Sequence, residues 1–197
     1  MSCSCSTSLR AWIATAGNEA DAGYCALVEA IVTLVRCRTN PGGRIMLEQR
    51  VGENLPDWIR DHLQRYLASD GADGHYWDAS PGGGEGMVPT LLLTTRGRKS
   101  GRSMTIPLIY GQAGDGYCVV ASKGGAPAHP AWFLNLEADP QVHVQVEADR
   151  FLARARRATD AERGPLWQQM VGIFGPYTDY QARTERTIPL VILEPER

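Results

Sequence analysis

The sequence predicts a mainly β protein with flanking helices, an α+β chain built around a small closed barrel of about six antiparallel strands. Three observations carry that expectation. Segments 88–95, 105–110, 116–121, 142–147, 150–158 and 187–194 read as strands, each a short apolar or alternating run bounded by turn residues. The clearest is 151–156, where apolar and basic side chains alternate. The connections Ala-Gly-Asp-Gly at 113–116 and Glu-Ala-Asp-Arg at 147–150 are hairpin turns, too short for the crossovers that parallel strands need. Helical patterns sit only between or beside these strands. Closing so small a sheet removes its exposed edges.

Taken in chain order, residues 1–50 stand apart. Segment 1–8 is rich in Ser and Cys, 22–37 has the pattern of a short amphipathic helix, and Asn-Pro-Gly-Gly at 40–43 breaks it. This stretch is expected as an N-terminal extension, either disordered or preceding a native start near Met46. Residues 51–197 are expected as the barrel domain. Asn54 can cap a helix whose first turn holds Pro56 and Asp57, and Trp58, Ile59, His62, Leu63, Tyr66 and Leu67 follow at helical spacing until Gly71. Segment 70–88, dense in Gly and Asp, reads as a loop. Between the third and fourth strands, 130–136 reads as a short helix ended by Asp139-Pro140. Thr159-Asp-Ala-Glu162 is a capping box opening a helix through about Ile173.

Composition narrows the function. A chain of 197 residues with 43% hydrophobic and 21% charged residues supports one substantial core. The net charge of −2 argues against binding nucleic acid, which calls for a broad basic stripe with interleaved aromatics. Five cysteines without a Cys-x-x-Cys pair point to free thiols in a reducing cytosol, and no His pair has metal-ligand spacing. The longest mostly apolar stretch, 24–35, is too short to span a bilayer, although it leaves association with a membrane surface open. There is no Gly-x-Gly-x-x-Gly, no phosphate loop and no nucleophile elbow.

Against that near-neutral background, two turns concentrate positive charge. Arg-Gly-Arg-Lys-Ser-Gly-Arg at 96–102 follows a strand, and Ala-Ser-Lys-Gly-Gly-Ala-Pro at 121–127 follows another. Arg96, Arg98, Lys99, Arg102 and Lys123, with Ser122 and the glycines 97, 101, 124 and 125, have the make-up of a polyanion cradle: glycine lets backbone N–H groups approach phosphate, and Arg and Lys give charge-assisted hydrogen bonds. A hairpin tip with solvated charges fits the same residues. Trp132, Phe133, Leu134 and Leu136 around Asn135 read either as a helix plugging one barrel end or as a cofactor wall. Phe174, Tyr177 and Tyr180 read either as an aromatic cover over the core or as a lid on a flat ring ligand.

From about residue 55 to 195, these motifs resemble the deazaflavin-dependent nitroreductase and quinone-reductase family, the F420H2-dependent reductases. The resemblance rests on the runs 91–101 and 121–127, on His-Pro-Ala-Trp-Phe-Leu-Asn-Leu at 129–136, on Asp-Tyr-Gln at 179–181 and on Arg-Thr-Ile-Pro at 186–189. It implies a split β-barrel of the FMN-binding type and coenzyme F420, a deazaflavin with a phosphate and an oligoglutamate tail. By resemblance, Arg98, Lys99, Ser122 and Lys123, with Gly124, meet the phosphate and tail. Pro107, Ala131, Trp132 and Asn135 flank the ring, while Tyr177 and Tyr180 cover the ring or the acceptor. Two positions depart from the family pattern. Met104 stands where a basic residue is frequent, with Arg102 placed to compensate, and Phe174 stands where relatives can carry tyrosine.

The expected function is hydride transfer from reduced F420 to a small-molecule oxidant such as a quinone, a nitroaromatic or an activated enone. Tyr177 and Tyr180 are the candidate catalytic residues, and no metal is required. An FMN-dependent relative on the same barrel and a non-catalytic F420 carrier are the alternatives. The expected location is the cytoplasm, including the inner face of the membrane. Oligomeric state is open.

Overall fold

The structure, a computed structural model, describes residues 38–39, 45–46 and 56–196. The chain divides into two units, Met1–Glu48 and Gln49–Arg197. In the first, β1 (Arg38–Thr39) pairs antiparallel with β2 (Ile45–Met46). The expectations for a helix at 22–37, for the character of segment 1–8 and for the cap at Asn54 lie outside the described residues.

In the second unit, the order is α1 (Asp57–Ala68), β3 (Tyr76–Asp78), β4 (Met87–Arg96), β5 (Ser103–Ala113), β6 (Gly116–Val120), α2 (Ala131–Ala138), β7 (Gln141–Val146), β8 (Asp149–Arg157), α3 (Asp160–Ile173), α4 (Tyr177–Ala182) and β9 (Leu190–Pro195). The strands run β4-β5-β6-β9-β8-β7, and β7 pairs back onto β4, so six antiparallel strands close into a barrel. All six are those expected from the sequence, with ends shifted by a few residues.

Period-2 alternation divides the side chains between two cores. Leu91 and Leu93 of β4, Val119 of β6, Val142 and Val144 of β7, Ala153 and Ala155 of β8, and Val191 and Leu193 of β9 form the barrel interior. Phe133 and Leu136 of α2 join it, so the helix-plug reading describes these two side chains. Cys118, Val120 and Leu190 face the other way and pack under α3 and α4 with Met170, Phe174 and Tyr177. The capping box forms as expected: Thr159 Oγ1 accepts from the Glu162 N–H (3.3 Å), and Glu162 Oε2 accepts from the Thr159 N–H (2.8 Å).

The loop expected at 70–88 is corrected in part. Tyr76–Asp78 is a strand, paired with Met87–Pro89 as a seventh strand outside the barrel. Tyr and Trp favour an extended strand when a neighbour lies alongside, and β4 supplies it. Its partner was invisible to local reading because the surrounding Gly and Asp dominate the pattern.

At the end of the barrel away from the cationic turns, α1 is tied down by polar groups. The Glu147 N–H donates to Tyr66 Oη (2.8 Å), and the Tyr66 hydroxyl donates to Thr90 O (3.2 Å). Burial pushes the Tyr66 phenol up to about 12. His62 is buried and hydrogen-bonds Gly74 O through Nε2 (2.6 Å), so this nitrogen carries the proton of a neutral ring. Burial lowers its pKa from 6.5. The unfolded chain therefore takes up the extra proton first. Stability from this site is complete above pH 6.5 and is lost as pH falls through the lower folded value, by up to about 1.4 kcal/mol per pH unit. Urea unfolding at pH 7 and pH 5 is expected to show this loss, and a His62→Gln variant is expected to show a smaller one. An equal loss in the variant would assign the acid sensitivity elsewhere.

Candidate active site

Strand register gathers the expected cofactor residues at one end of the barrel. β4 leaves at Arg96 beside Ser103, where β5 enters. β6 leaves at Val120 beside Leu190, where β9 enters, and β8 leaves at Arg157 beside Val191. β7 enters beside the outgoing β4, with Thr94 opposite His143. The turn 97–102, the loop 121–130, α2 and the segment 183–189 therefore share one end. The two cationic turns, far apart in sequence, are neighbours by topology.

The first turn is closed by Gly97 N–H to Arg102 O (2.8 Å) and Gly101 N–H to Gly97 O (2.7 Å). Asn135 pins it. Its buried Oδ1 accepts from both the Arg98 N–H and the Arg98 guanidinium (3.2 Å each), and its Nδ2 donates to Thr95 Oγ1 (3.3 Å). An amide inside an apolar helix would be costly unless satisfied, and three hydrogen bonds satisfy it. Asn135 thus fixes where Arg98 points, and Lys99 and Arg102 project to solvent from the same turn.

The second turn is held by a residue to which sequence reading assigned no role. Arg186 Nε donates to Ala126 O (2.8 Å), Nη1 and Nη2 each donate to Ala121 O (3.3 Å), and Nη2 also donates to Ser122 O (2.6 Å). Nη1 further donates to His129 Nδ1 (3.2 Å), which must then be unprotonated, and burial with the adjacent guanidinium lowers the His129 pKa. His129 and Arg186, isolated in sequence, are thus partners. Gln181 of α4 braces the same segment, donating to Arg186 O (2.9 Å) and accepting from the Ile188 N–H (2.9 Å). The only sequence signal was the run 186–189; a lone loop arginine reads locally as solvated.

Clamped in this way, Lys123 sits at φ 50° and Gly124 at φ 64°. A non-glycine residue in the left-handed region carries strain that the surroundings must hold in place. Gly125, at φ +80°, is pressed onto α4: a Cβ there would lie 2.5 Å from Tyr180 O. The loop of Ser122, Lys123 and Gly124 is therefore seated directly on the helix of Tyr177 and Tyr180.

The two tyrosines differ. Tyr177 is buried in the second core beside Phe174 (ring centroids 5.0 Å apart), and burial pushes its phenol far up, so it keeps its proton. The core-cover reading describes its ring. Tyr180 is half-buried, and its hydroxyl donates to Gly82 O (2.9 Å). Of the expected ring contacts, Ala131 is exposed at the start of α2, Pro107 is half-buried opposite Leu92, and Trp132 is buried at the edge of the barrel core.

Charge tests whether these residues fit an anionic cofactor. Arg60, Arg65, Arg150, Arg156 and Arg157 each pair with a carboxylate. Among the described residues, Arg96, Arg98, Lys99, Arg102 and Lys123 enter no salt bridge with a carboxylate. Unneutralised cations therefore crowd one barrel end, on or beside two turns pinned by the buried Asn135 and the half-buried Arg186, and fit a ligand with several negative charges. A groove of ≈ 530 Å³ between α3, α4 and Thr187, lined also by Trp167 and Gln181, opens at this end. A larger hollow of ≈ 900 Å³ lies on the barrel flank by the β5–β6 turn. Its wall includes Arg156, already paired with Glu162 and Glu194, so it offers no free cation.

The closed six-stranded antiparallel barrel with its flanking helices is a split barrel of the FMN-binding type. Residues 58–195 match the family described as F420H(2)-dependent quinone reductase, and the chain belongs to that family. It is 39% identical over 150 residues to an F420H(2)-dependent quinone reductase of Mycobacterium tuberculosis, covering 75% of this chain and 94% of that protein. Among solved structures, it is similar to an F420-H2 dependent reductase (40% identity, TM-score 0.51, 54% of this chain and 94% of that one). It is also similar to a protein described as a domain-swapped dimer (36% identity, TM-score 0.53, 70% and 98%). The enzyme is thus an F420H2-dependent oxidoreductase, and its cofactor is coenzyme F420 in the reduced form. Among the described residues, no helix is long and apolar enough to cross a membrane.

Proposed function

We propose that this enzyme reduces a quinone-type acceptor, with nitroaromatics and activated enones as further oxidants, and that the cationic end anchors the cofactor by its phosphate and tail. The observation that carries the reading is the clustering on two neighbouring turns of Arg96, Arg98, Lys99, Arg102 and Lys123, none of which has a carboxylate partner among the described residues. The bound cofactor supplies a hydride from its ring, and reduction of a quinone to the quinol takes up one further proton. The chain's own part is position and charge. Arg98, Lys99, Arg102, Ser122, Lys123 and the Gly124 backbone hold the anionic groups. Because Asn135 and Arg186 fix both turns beforehand, little ordering remains to be done on binding. Trp132, Asn135, Pro107 and Ala131 border the ring, and Tyr177 and Tyr180 face the acceptor side. Burial pushes the Tyr177 pKa far up, so it keeps its phenolic proton, and its ring backs that of Tyr180 (centroids 6.2 Å apart).

Two measurements test this. Anaerobic oxidation of F420H2 against a panel of quinones and nitro compounds is expected to show acceptor-dependent turnover, with FMN failing to replace F420. Separately, a Lys99→Ala/Lys123→Ala protein is expected to bind F420 about tenfold or more weakly by tryptophan fluorescence, with a shallower dependence on salt. An unchanged dissociation constant and salt slope would remove the anchoring role from these turns.

A further inference from the structure

β3 and β4 are joined by Ser-Pro-Gly-Gly-Gly-Glu-Gly at 80–86. Despite its composition, this is a formed turn. Asp78 Oδ1 accepts from the Ser80 N–H (3.0 Å) and hydroxyl (2.6 Å), which holds the Asp78 carboxyl below its ordinary range. The N–H groups of Gly82 and Gly84 donate to Ala79 O (2.9 and 3.0 Å), and the Ala79 N–H donates to Gly86 O (2.9 Å).

One side of the turn lies against the aromatic residues before and within α4. A Cβ at Gly82 would stand 3.0 Å from Phe174 Cζ and 3.2 Å from Trp77 Cη2. At Gly84 it would stand 2.7 and 2.8 Å from Phe174 Cε2 and Cδ2, and 2.9 Å from Ala79 Cβ. Glycine is required here for closeness of approach. The Gly82 carbonyl accepts the Tyr180 hydroxyl (2.9 Å), while the Tyr180 backbone rests on Gly125, next to Lys123 and Gly124. Tyr180 therefore spans from the cofactor loop to the glycine turn.

The geometry points to the 80–86 turn as the outer wall of the acceptor site, with Gly82, Gly84 and Phe174 as specificity-determining residues and Tyr180 as the tie that holds the wall in. This rests on the reading that the acceptor lies against α4. An apolar wall seated on an aromatic ring limits the width of a flat acceptor. The Tyr180 hydroxyl, engaged by Gly82, positions the wall.

The test uses the full chain loaded with F420H2 and two variants, Gly84→Ala, which displaces the turn from Phe174, and Tyr180→Phe, which removes the tie. KM and kcat are measured for a one-ring benzoquinone and a two-ring naphthoquinone. F420 affinity, and naphthoquinone binding without cofactor, are followed by tryptophan fluorescence. Both variants are expected to shift the kcat/KM ratio about tenfold toward the two-ring acceptor, through KM, with tighter naphthoquinone binding and an F420 dissociation constant within about twofold of the parent. Phe174→Leu placed in the Gly84→Ala background is expected to move the ratio back. If Gly84→Ala fails to fold, Tyr180→Phe carries the test. A ratio that stays put, or moves toward the smaller ring, in a parent that turns over both quinones overturns the wall alone. A parent that binds F420 and reduces no acceptor overturns the functional reading and the wall with it.

Discussion

Replacing Arg186 with methionine is expected to destabilise the protein by about 3 kcal/mol and to weaken F420 binding at least about tenfold. The side chain donates to three backbone carbonyls of the 121–126 loop and to His129. Methionine keeps the unbranched stem only as far as the position of Nε and removes every donor, leaving Ala121 O, Ser122 O and Ala126 O to find new partners in a partly buried place. Lys123 then loses the support that holds it at φ 50°, so the loss extends to the cofactor. Arg186→Lys is expected to recover little, because one ammonium cannot reproduce a planar fork spread over three carbonyls. Denaturant unfolding reads the first effect and a fluorescence titration reads the second. A stable Arg186→Met protein with parental F420 affinity would show that the loop holds its shape by other means.

Asn135 separates stability from cofactor affinity. Asn135→Leu leaves the Arg98 N–H and the Thr95 hydroxyl without their partner in a buried site, an expected cost of about 1–3 kcal/mol. Asn135→Asp keeps an acceptor for both Arg98 contacts and is expected to remain close to parental stability. It also places a negative charge beneath the turn meant for an anion, so F420 binding is expected to fall about tenfold or more. Paired melting curves and F420 titrations check the contrast. Equal affinity in Asn135→Asp and the parent would mean that the anion lies away from Arg98.

Much of the site was legible in the residues themselves. The cations at 96–102 and 123 stood out because they cluster in a chain whose net charge is only −2, and glycine beside arginine has few local explanations. Asn135 stood out as an amide inside an apolar helix, although its partner, 37 residues away at Arg98, did not. Tyr180 was visible by spacing, but its partner Gly82 lies 98 residues away in a segment read as loop. Arg186 shows the limit most plainly, since everything it binds belongs to a loop about 60 residues earlier.

What the sequence determined alone is whatever depends on neighbours in the chain. The strands show in their alternation, the hairpins in their turn residues and α3 in its capping box, because those forces act within a few residues. Closure of the barrel by β7 on β4, the meeting of two cationic turns at one end, and the different burial of Tyr177 and Tyr180 were decided only by the tertiary structure. They arise from backbone pairing and packing between segments tens of residues apart, and no local pattern encodes which distant surface will arrive to cover a side chain.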